Sequence, residues 1–154
     1  HYFKDVDGSE YCYSELEPAN AHNWFPCFDQ PDLKAPYRLL VFAPEEWKVI
    51  STCRQVGGPD KTKIVLGSPV FRLDGDILKE FTDSFKGSTF YAVEFAKTEP
   101  ISTYIYSMVA GPYDEIKPLK DDPELRDVPL RLFCRSSLTQ YVNDIAEDWF
   151  RVTR

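Results

Sequence analysis

Tyr13-Ser14-Glu15-Leu16-Glu17-Pro18-Ala19-Asn20-Ala21-His22-Asn23-Trp24-Phe25-Pro26-Cys27-Phe28-Asp29-Gln30-Pro31-Asp32-Leu33-Lys34-Ala35 is the stretch on which the fold turns. Its first residues close a segment, Glu10 to Leu16, rich in side chains that suit a pleated sheet. On a strand, Glu15 and Glu17 would point to the same face. Two carboxylates on one face repel unless a cation lies between them, and a substrate ammonium would be such a cation. On spacing alone the plainer reading is an exposed strand decorated with glutamates. Pro18 opens a short helical turn towards Trp24. Phe25 to Asp32 holds two prolines and two aspartates and reads as an ordered loop. Its aromatics are expected to pin it to a core, with Asp29 bonding nearby backbone amides. Cys27 as a nucleophile would need a base, for which His22 is at hand, but nothing else resembles a Cys–His protease.

Upstream, residues 2–6 and 10–17 flank Asp7-Gly8, a strong hairpin signal. Downstream, residues 37–43 read as a buried strand ended by Pro44, and 47–53 as another. Gly57-Gly58-Pro59-Asp60 marks a turn before a strand over 63–66. Ile77, Leu78, Phe81 and Phe85 fall at near-helical spacing, which predicts a short amphipathic helix within 74–86. Strands follow over 89–96 and 101–109, joined by Thr98-Glu99-Pro100. Tyr104 and Tyr106 share a face of the second strand, and core packing is their default explanation. Residues 118–124 are proline-flanked and mostly charged, and a domain boundary is expected there. Beyond it come a strand over 129–134 and a helix capped by Ser136-Ser137. Tyr141, Ile145, Trp149 and Val152 form one apolar stripe on that helix, with nothing left in the chain to cover it. The sequence is therefore expected to continue beyond both ends; it opens at His1, without Met.

Composition excludes several classes. The chain has 154 residues and a formal net charge of −7, which disfavours non-specific nucleic-acid binding. Aromatics make up 15%, enough to build a core where a disordered chain could not. No apolar run approaches the roughly 20 residues of a membrane span, and no signal-peptide pattern opens the chain. Cys12, Cys27, Cys53 and Cys134 form no C-x-x-C pair and are expected to be free, buried thiols. That favours a reducing compartment, and a cytoplasmic location is the expectation. With only His1 and His22, and no H-E-x-x-H, P-loop or G-x-S-x-G, this stretch lacks the parts for metal, phosphoryl or serine chemistry. Any catalysis must draw on residues outside it.

The run from Tyr13 to Ala35 resembles the hallmark segment of the M1 zinc aminopeptidases, T-Q-x-E-x-x-x-A-R-x-x-F-P-C-F-D-x-P-x-x-K-A, and is most similar to the aminopeptidase N branch. Glu99-Pro100-Ile101-Ser102-Thr103-Tyr104, followed by Val109-Ala110-Gly111, resembles that family's T-P-P-M-S-T-Y-L strand. Val128-Pro129-Leu130-Arg131-Leu132-Phe133-Cys134-Arg135 is similar to the strand that opens its catalytic domain. Residues 54–87 match weakly.

The resemblance implies a mostly β fold: part of the saddle-like β N-terminal domain over 1–117, a linker over 118–127, and the first strand and helix of a thermolysin-like catalytic domain over 128–154. It implies a fragment of a zinc metalloaminopeptidase that removes N-terminal residues from peptides. Glu17 aligns with the acid that helps hold the substrate's free α-ammonium, a charge-assisted contact. Glu15 stands where the family has Gln, which implies a sharper preference for basic first residues, a shifted pocket or an impaired enzyme. Ser14 for Thr and His22 for Arg are milder departures. The zinc, the G-A-M-E-N loop and the H-E-x-x-H helix belong to the full-length parent, beyond Arg154; the fragment alone is expected to bind no zinc and cleave nothing. The implied partners are peptides with a free N-terminus and the parent's own catalytic domain, with no nucleic acid. The alternatives are a catalytically inactive M1-like scaffold and a free-standing β-sandwich binding module.

Overall fold

A computed structural model of the chain describes residues 1–56, 62–63, 90–118 and 130–153. Its strands are β1 (Tyr2–Lys4), β2 (Glu10–Tyr13), β3 (Leu40–Pro44), β4 (Lys48–Ser51), β5 (Thr62–Lys63), β6 (Phe90–Glu94), β7 (Met108–Gly111), β8 (Tyr113–Ile116) and β9 (Leu132–Arg135), and helix α1 covers Thr139–Val152. All strand pairs are antiparallel. They form a four-stranded sheet β1-β2-β7-β4, a three-stranded sheet β3-β6-β5 and the pair β8-β9. The mostly β expectation holds.

The Asp7-Gly8 hairpin is present. Its turn closes through Asp5 N–H to Ser9 O at 2.8 Å and Gly8 N–H to Asp5 O at 3.0 Å. Asp7 Oδ1 accepts from Ser9 N–H, and Gly8 sits at φ +86°, which glycine adopts without steric cost. The second arm is shorter than expected. β2 ends at Tyr13, so residues 14–17 leave the strand and the same-face argument for Glu15 and Glu17 does not apply. Ser14 explains the exit: its Oγ accepts from Met108 N–H, so a side chain takes the place of a ladder carbonyl.

Val49, Met108 and Ala110 of the first sheet share one buried cluster with Ala43, Tyr91 and Val93 of the second. Alternate residues of each strand thus point inward, and the two sheets lie over a common core. Leu16, Ala21 and Tyr106 enter that core from loops. The expected strand over 101–109 is broken. Ile101 makes an isolated bridge with Ala35, Thr103–Ile105 is a 3-10 turn, and only Met108 onwards is strand. Buried Ser102 and Thr103 cause the break, because their hydroxyls donate to Pro31 O and Asp29 rather than leaving the backbone free to extend. Tyr106 is core, as expected, while Tyr104 is half-buried off the strand.

β9 pairs with β8, and α1 follows through a 3-10 turn at Ser136–Leu138. The serines expected to cap the helix are engaged elsewhere. Ser136 Oγ donates to Pro112 O at 3.1 Å and Ser137 Oγ to Asp5 Oδ2 at 2.6 Å. Arg135 Nη1 lies 3.3 Å from the same Asp5 oxygen, with its guanidinium 4.7 Å from the Phe3 ring centroid. The first hairpin is thereby clamped to the chain just before α1. The helix buries Ala146 and Phe150, while Tyr141, Ile145, Trp149 and Val152 are exposed. All four cysteines are free thiols; Cys134 is buried and the others half-buried. Among the described residues no helix is long and apolar enough to cross a membrane. The expected turn at 57–60, residues 64–66 of the third strand, the helix within 74–86 and the linker after Pro118 lie outside the described residues.

Candidate functional site

The segment after β2 is held at both ends. Leu16 is buried, and Asn20 N–H donates back to its carbonyl at 2.9 Å. The amide of the Asn20 side chain donates to Glu17 O at 2.9 Å, across a Glu17–Pro18 peptide that is cis. Ala21–Asn23 forms a 3-10 turn, whose buried Ala21 carbonyl takes the N–H groups of Trp24 and Phe25. The Phe25 ring then meets Tyr37 and Tyr106 edge-on at 5.4 and 5.5 Å. Such aromatic pairs contribute about 0.5–1.5 kcal/mol each beyond their buried area. Phe25 pins the loop as expected, but Phe28 does not: it is 82% exposed.

Asp29 fixes the far side of the loop. Its Oδ2 lies 3.0 Å from His22 Nδ1 and accepts from His22 N–H, and its Oδ1 accepts from Thr103 Oγ1 at 2.8 Å. The expected bonding to nearby amides is present, with two side chains added. The His22 hydrogen bond, with help from Thr103 and against the pull of desolvation, holds the Asp29 carboxyl below its ordinary range. Cys27 moves the other way: burial, and then the Asp29 charge, push its thiol up. With its thiolate disfavoured and His22 engaged by Asp29, Cys27 is not set up as a nucleophile.

Glu15 and Glu17 are both exposed. Glu15 lines a cleft of about 290 Å³ together with His1, Ser14, Leu16, Asn20, Asn23 and Trp24. Its Oε2 lies 3.2 Å from His1 Nε2, an exposed pair that solvent screens heavily. Glu17 is not one of the lining residues; it stands next to Leu16, with its backbone tied by Asn20, and makes no ion pair among the described residues. The structure thus places one carboxylate in the cleft wall and the other at its side. A larger cavity of about 480 Å³ lies between the first hairpin and β8-β9, lined by Phe3, Tyr11, Tyr13, Tyr113, Phe133 and Arg135 among others. Its cation is already paired with Asp5. Among the described residues no three His, Cys, Asp or Glu side chains converge to hold a metal ion.

The peptidase M1 N-terminal domain family matches residues 1–91, which include both carboxylates, the 3-10 turn and the Phe25–Asp29 anchor. The chain belongs to the M1 peptidase family. It is 32% identical to an aminopeptidase N of Streptomyces lividans over 155 residues, covering 100% of this chain and 14% of that protein. Against a glutamyl aminopeptidase of Mus musculus the identity is 25% over 156 residues, 97% of this chain and 14% of the relative. An aminopeptidase Q of Homo sapiens is 25% identical over 113 residues, 73% of this chain and 9% of the relative. The chain therefore spans a small part of the length of these relatives. For an M1 N-terminal domain segment, the mostly β architecture and the ordered loop after β2 are what the sequence led one to expect.

Three cleft residues of this M1 segment escaped sequence reasoning: Asn20, Asn23 and Trp24. A signal existed for two of them. An Asn just beyond a proline favours a side-chain-to-backbone turn, and a large aromatic in an otherwise polar turn needs a packing reason. Burial pushes the Tyr106 hydroxyl up in pKa, and the indole of Trp24 draws it part of the way back.

Proposed function

We propose that this chain is the part of a zinc-dependent aminopeptidase that receives the free α-ammonium of a peptide substrate, with Glu17 as the receiving carboxylate. One observation carries the reading: Glu17 is exposed and unpaired among the described residues, yet its backbone is held by Asn20 beside a cleft walled by a second carboxylate. An exposed carboxylate without an ion partner, rooted on a held backbone, is available to accept a cation. A charge-assisted hydrogen bond of this kind is worth about 1.5–3 kcal/mol. It is lost when the substrate amine is acetylated, which leaves a neutral amide. Glu17 would thus discriminate free N-termini from blocked ones.

The described residues do not supply a metal site, so no hydrolytic step is drawn through them. When bound in the parent, zinc supplies the Lewis acid and the activated water; its ligands are assigned to sequence outside this chain. Residues 1–117 are read as N-terminal domain, 118–127 as linker and 128–154 as the start of the catalytic domain. The β8-β9 pairing and the Asp5–Ser137 bond support this reading of a catalytic segment anchored directly on the substrate-recognising domain.

The test is steady-state kinetics of the full-length protein on aminoacyl anilides. Glu17→Gln keeps the shape and removes the charge. It should raise KM about tenfold or more, the equivalent of a lost charge-assisted hydrogen bond. The wild type should refuse N-acetylated substrates, and the preference for free over acetylated N-termini should shrink in the variant. An unchanged KM in the variant would remove Glu17 from amine recognition.

A further inference from the structure

His22 stands between the cleft residues Asn20, Asn23 and Trp24, yet its own side chain turns to Asp29. Its main-chain N–H and its ring Nδ1 both reach Asp29 Oδ2, at 3.3 and 3.0 Å. Behind that carboxylate, the hydroxyl of buried Thr103 donates to Oδ1 at 2.8 Å. The 3-10 turn is thus fastened to a fixed carboxylate through one ring. The ring is open to water and its partner is not: the two side chains are 56% and 11% exposed. The groups around the pair leave the imidazole as the variable one. The Asp29 carboxyl, held low chiefly by the His22 hydrogen bond, is ionised throughout the neutral range. Cys27 and Tyr37, on the far side of Asp29, are each pushed up, first by burial, and stay protonated there. Thr103 carries no charge, and the first turn of Ala21–Asn23 holds no acid. Across the cleft, Glu15 faces His1 at 3.2 Å.

Histidine is the side chain that changes charge between about pH 5 and 8. Charged, an imidazole gives a carboxylate a charge-assisted hydrogen bond. Neutral, it must keep its one proton on Nδ1 to donate here at all, and the bond is an ordinary one. The fastening is therefore strongest below the histidine range and weakens as pH rises through it. The M1 motif quoted above has Arg at this position, and an arginine keeps its charge at every working pH. We propose that His22 is a positioning residue that makes amine recognition depend on pH. Protonated, it locks the turn that carries Asn23 and Trp24 and adjoins Asn20, which holds the Glu17 backbone; deprotonated, it slackens that turn and substrate binding weakens. The consequence for binding rests on the aminopeptidase reading; the lock itself rests on the His22–Asp29–Thr103 geometry.

The experiment sets the full-length wild type beside His22→Arg, which is always charged, and His22→Gln, which keeps a donor and never a charge, at about pH 6 and pH 8. Amide hydrogen exchange over residues 20–30, read by mass spectrometry, reports the turn and needs no activity. KM for an aminoacyl anilide reports the cleft. Comparing the three proteins at one pH cancels the intrinsic pH dependence of exchange and the titration of the substrate amine. In both readouts the wild type should match His22→Arg at the lower pH and His22→Gln at the higher. The two variants should differ about fivefold, the gap between a charge-assisted and a neutral hydrogen bond. A wild type that keeps one place relative to the variants at both pH values would overturn the proposal. So would exchange that follows the pattern while KM does not, and amine recognition by Glu17 would then stand without this control. A wild type that cleaves no aminoacyl anilide would overturn the aminopeptidase reading and the effect on binding with it; exchange separates that failure from a failure of the lock. If His22→Arg disturbs the fold, the wild type against His22→Gln decides alone, since their ratio must change between the two pH values.

Discussion

The Thr103 hydroxyl donates to Asp29 Oδ1 at 2.8 Å, joining positions 74 residues apart, while the other oxygen of the same carboxylate faces His22. One carboxylate thus ties the loop after β2 to the 3-10 turn before β7. Asp5 plays the matching part at the other end of the molecule, bound by Ser137 Oγ and the Arg135 guanidinium.

Both aspartates make stability depend on acid. The His22 hydrogen bond chiefly lowers the Asp29 pKa, and the Ser137 hydrogen bond chiefly lowers that of Asp5. Unfolded, each titrates near the ordinary value of about 3.9. Just below that pH the unfolded chain binds more protons than the folded one, so stability falls as pH falls. The contribution is complete above the ordinary carboxylate range and is lost through the lower folded values. Thermal unfolding followed from pH 7 downward should show a midpoint that is level at first and then drops below about pH 4. The Asp5→Asn, Asp29→Asn double variant should start lower and show a shallower acid drop. An equally steep drop in that variant would assign the acid sensitivity to other carboxylates.

Gly111 tests the closeness of β2 and β7. A Cβ built there would lie 2.4 Å from Tyr11 Cδ1 and 3.2 Å from the Glu10 carbonyl oxygen. Tyr11 is 1% exposed and packs on Tyr113 with ring centroids 4.8 Å apart, so it has little room to yield. Gly111→Ala should cost about 1–3 kcal/mol by overpacking, read from urea denaturation. A neutral result would mean that the Tyr11 ring can swing aside.

Phe25 and Phe28 give a paired test of the anchor. Phe25 sits among Tyr37 and Tyr106, whereas Phe28 is almost free of the core. Phe25→Ala should cost about 3 kcal/mol, because Tyr37 and Tyr106 both lose a ring neighbour. Phe28→Ala should stay within about 0.5 kcal/mol of the wild type. Equal costs would show that the loop is held by both rings.

Local patterns made much of this legible. Asp7-Gly8 gave the hairpin, the contiguous Leu39–Phe42 run gave β3, and the stripe on α1 was found where it was expected, facing outward. What local pattern could not carry was where polar side chains reach. Ser14, Ser102 and Thr103 look compatible with strands, yet each bonds a backbone or carboxylate group far along the chain and bends its own segment out of the ladder. Ser136 and Ser137 look like caps and serve as cross-links instead. At the candidate site, Glu15 and Glu17 were picked out by residue type, but their relation to each other depends on where β2 stops.

The clamp between Asp5 and Ser137 joins positions 132 apart. A ribosome adding about 5–20 residues per second would make the hairpin first and its last partner on the order of ten seconds later. Through that interval β1 has neither Arg135 over Phe3 nor a hydroxyl on Asp5, and Tyr11 lacks the Ser136 amide. Until synthesis has passed residue 137 the nascent hairpin lacks these ties, so its docking against the segment before α1 is a late step that follows the hairpin's own formation.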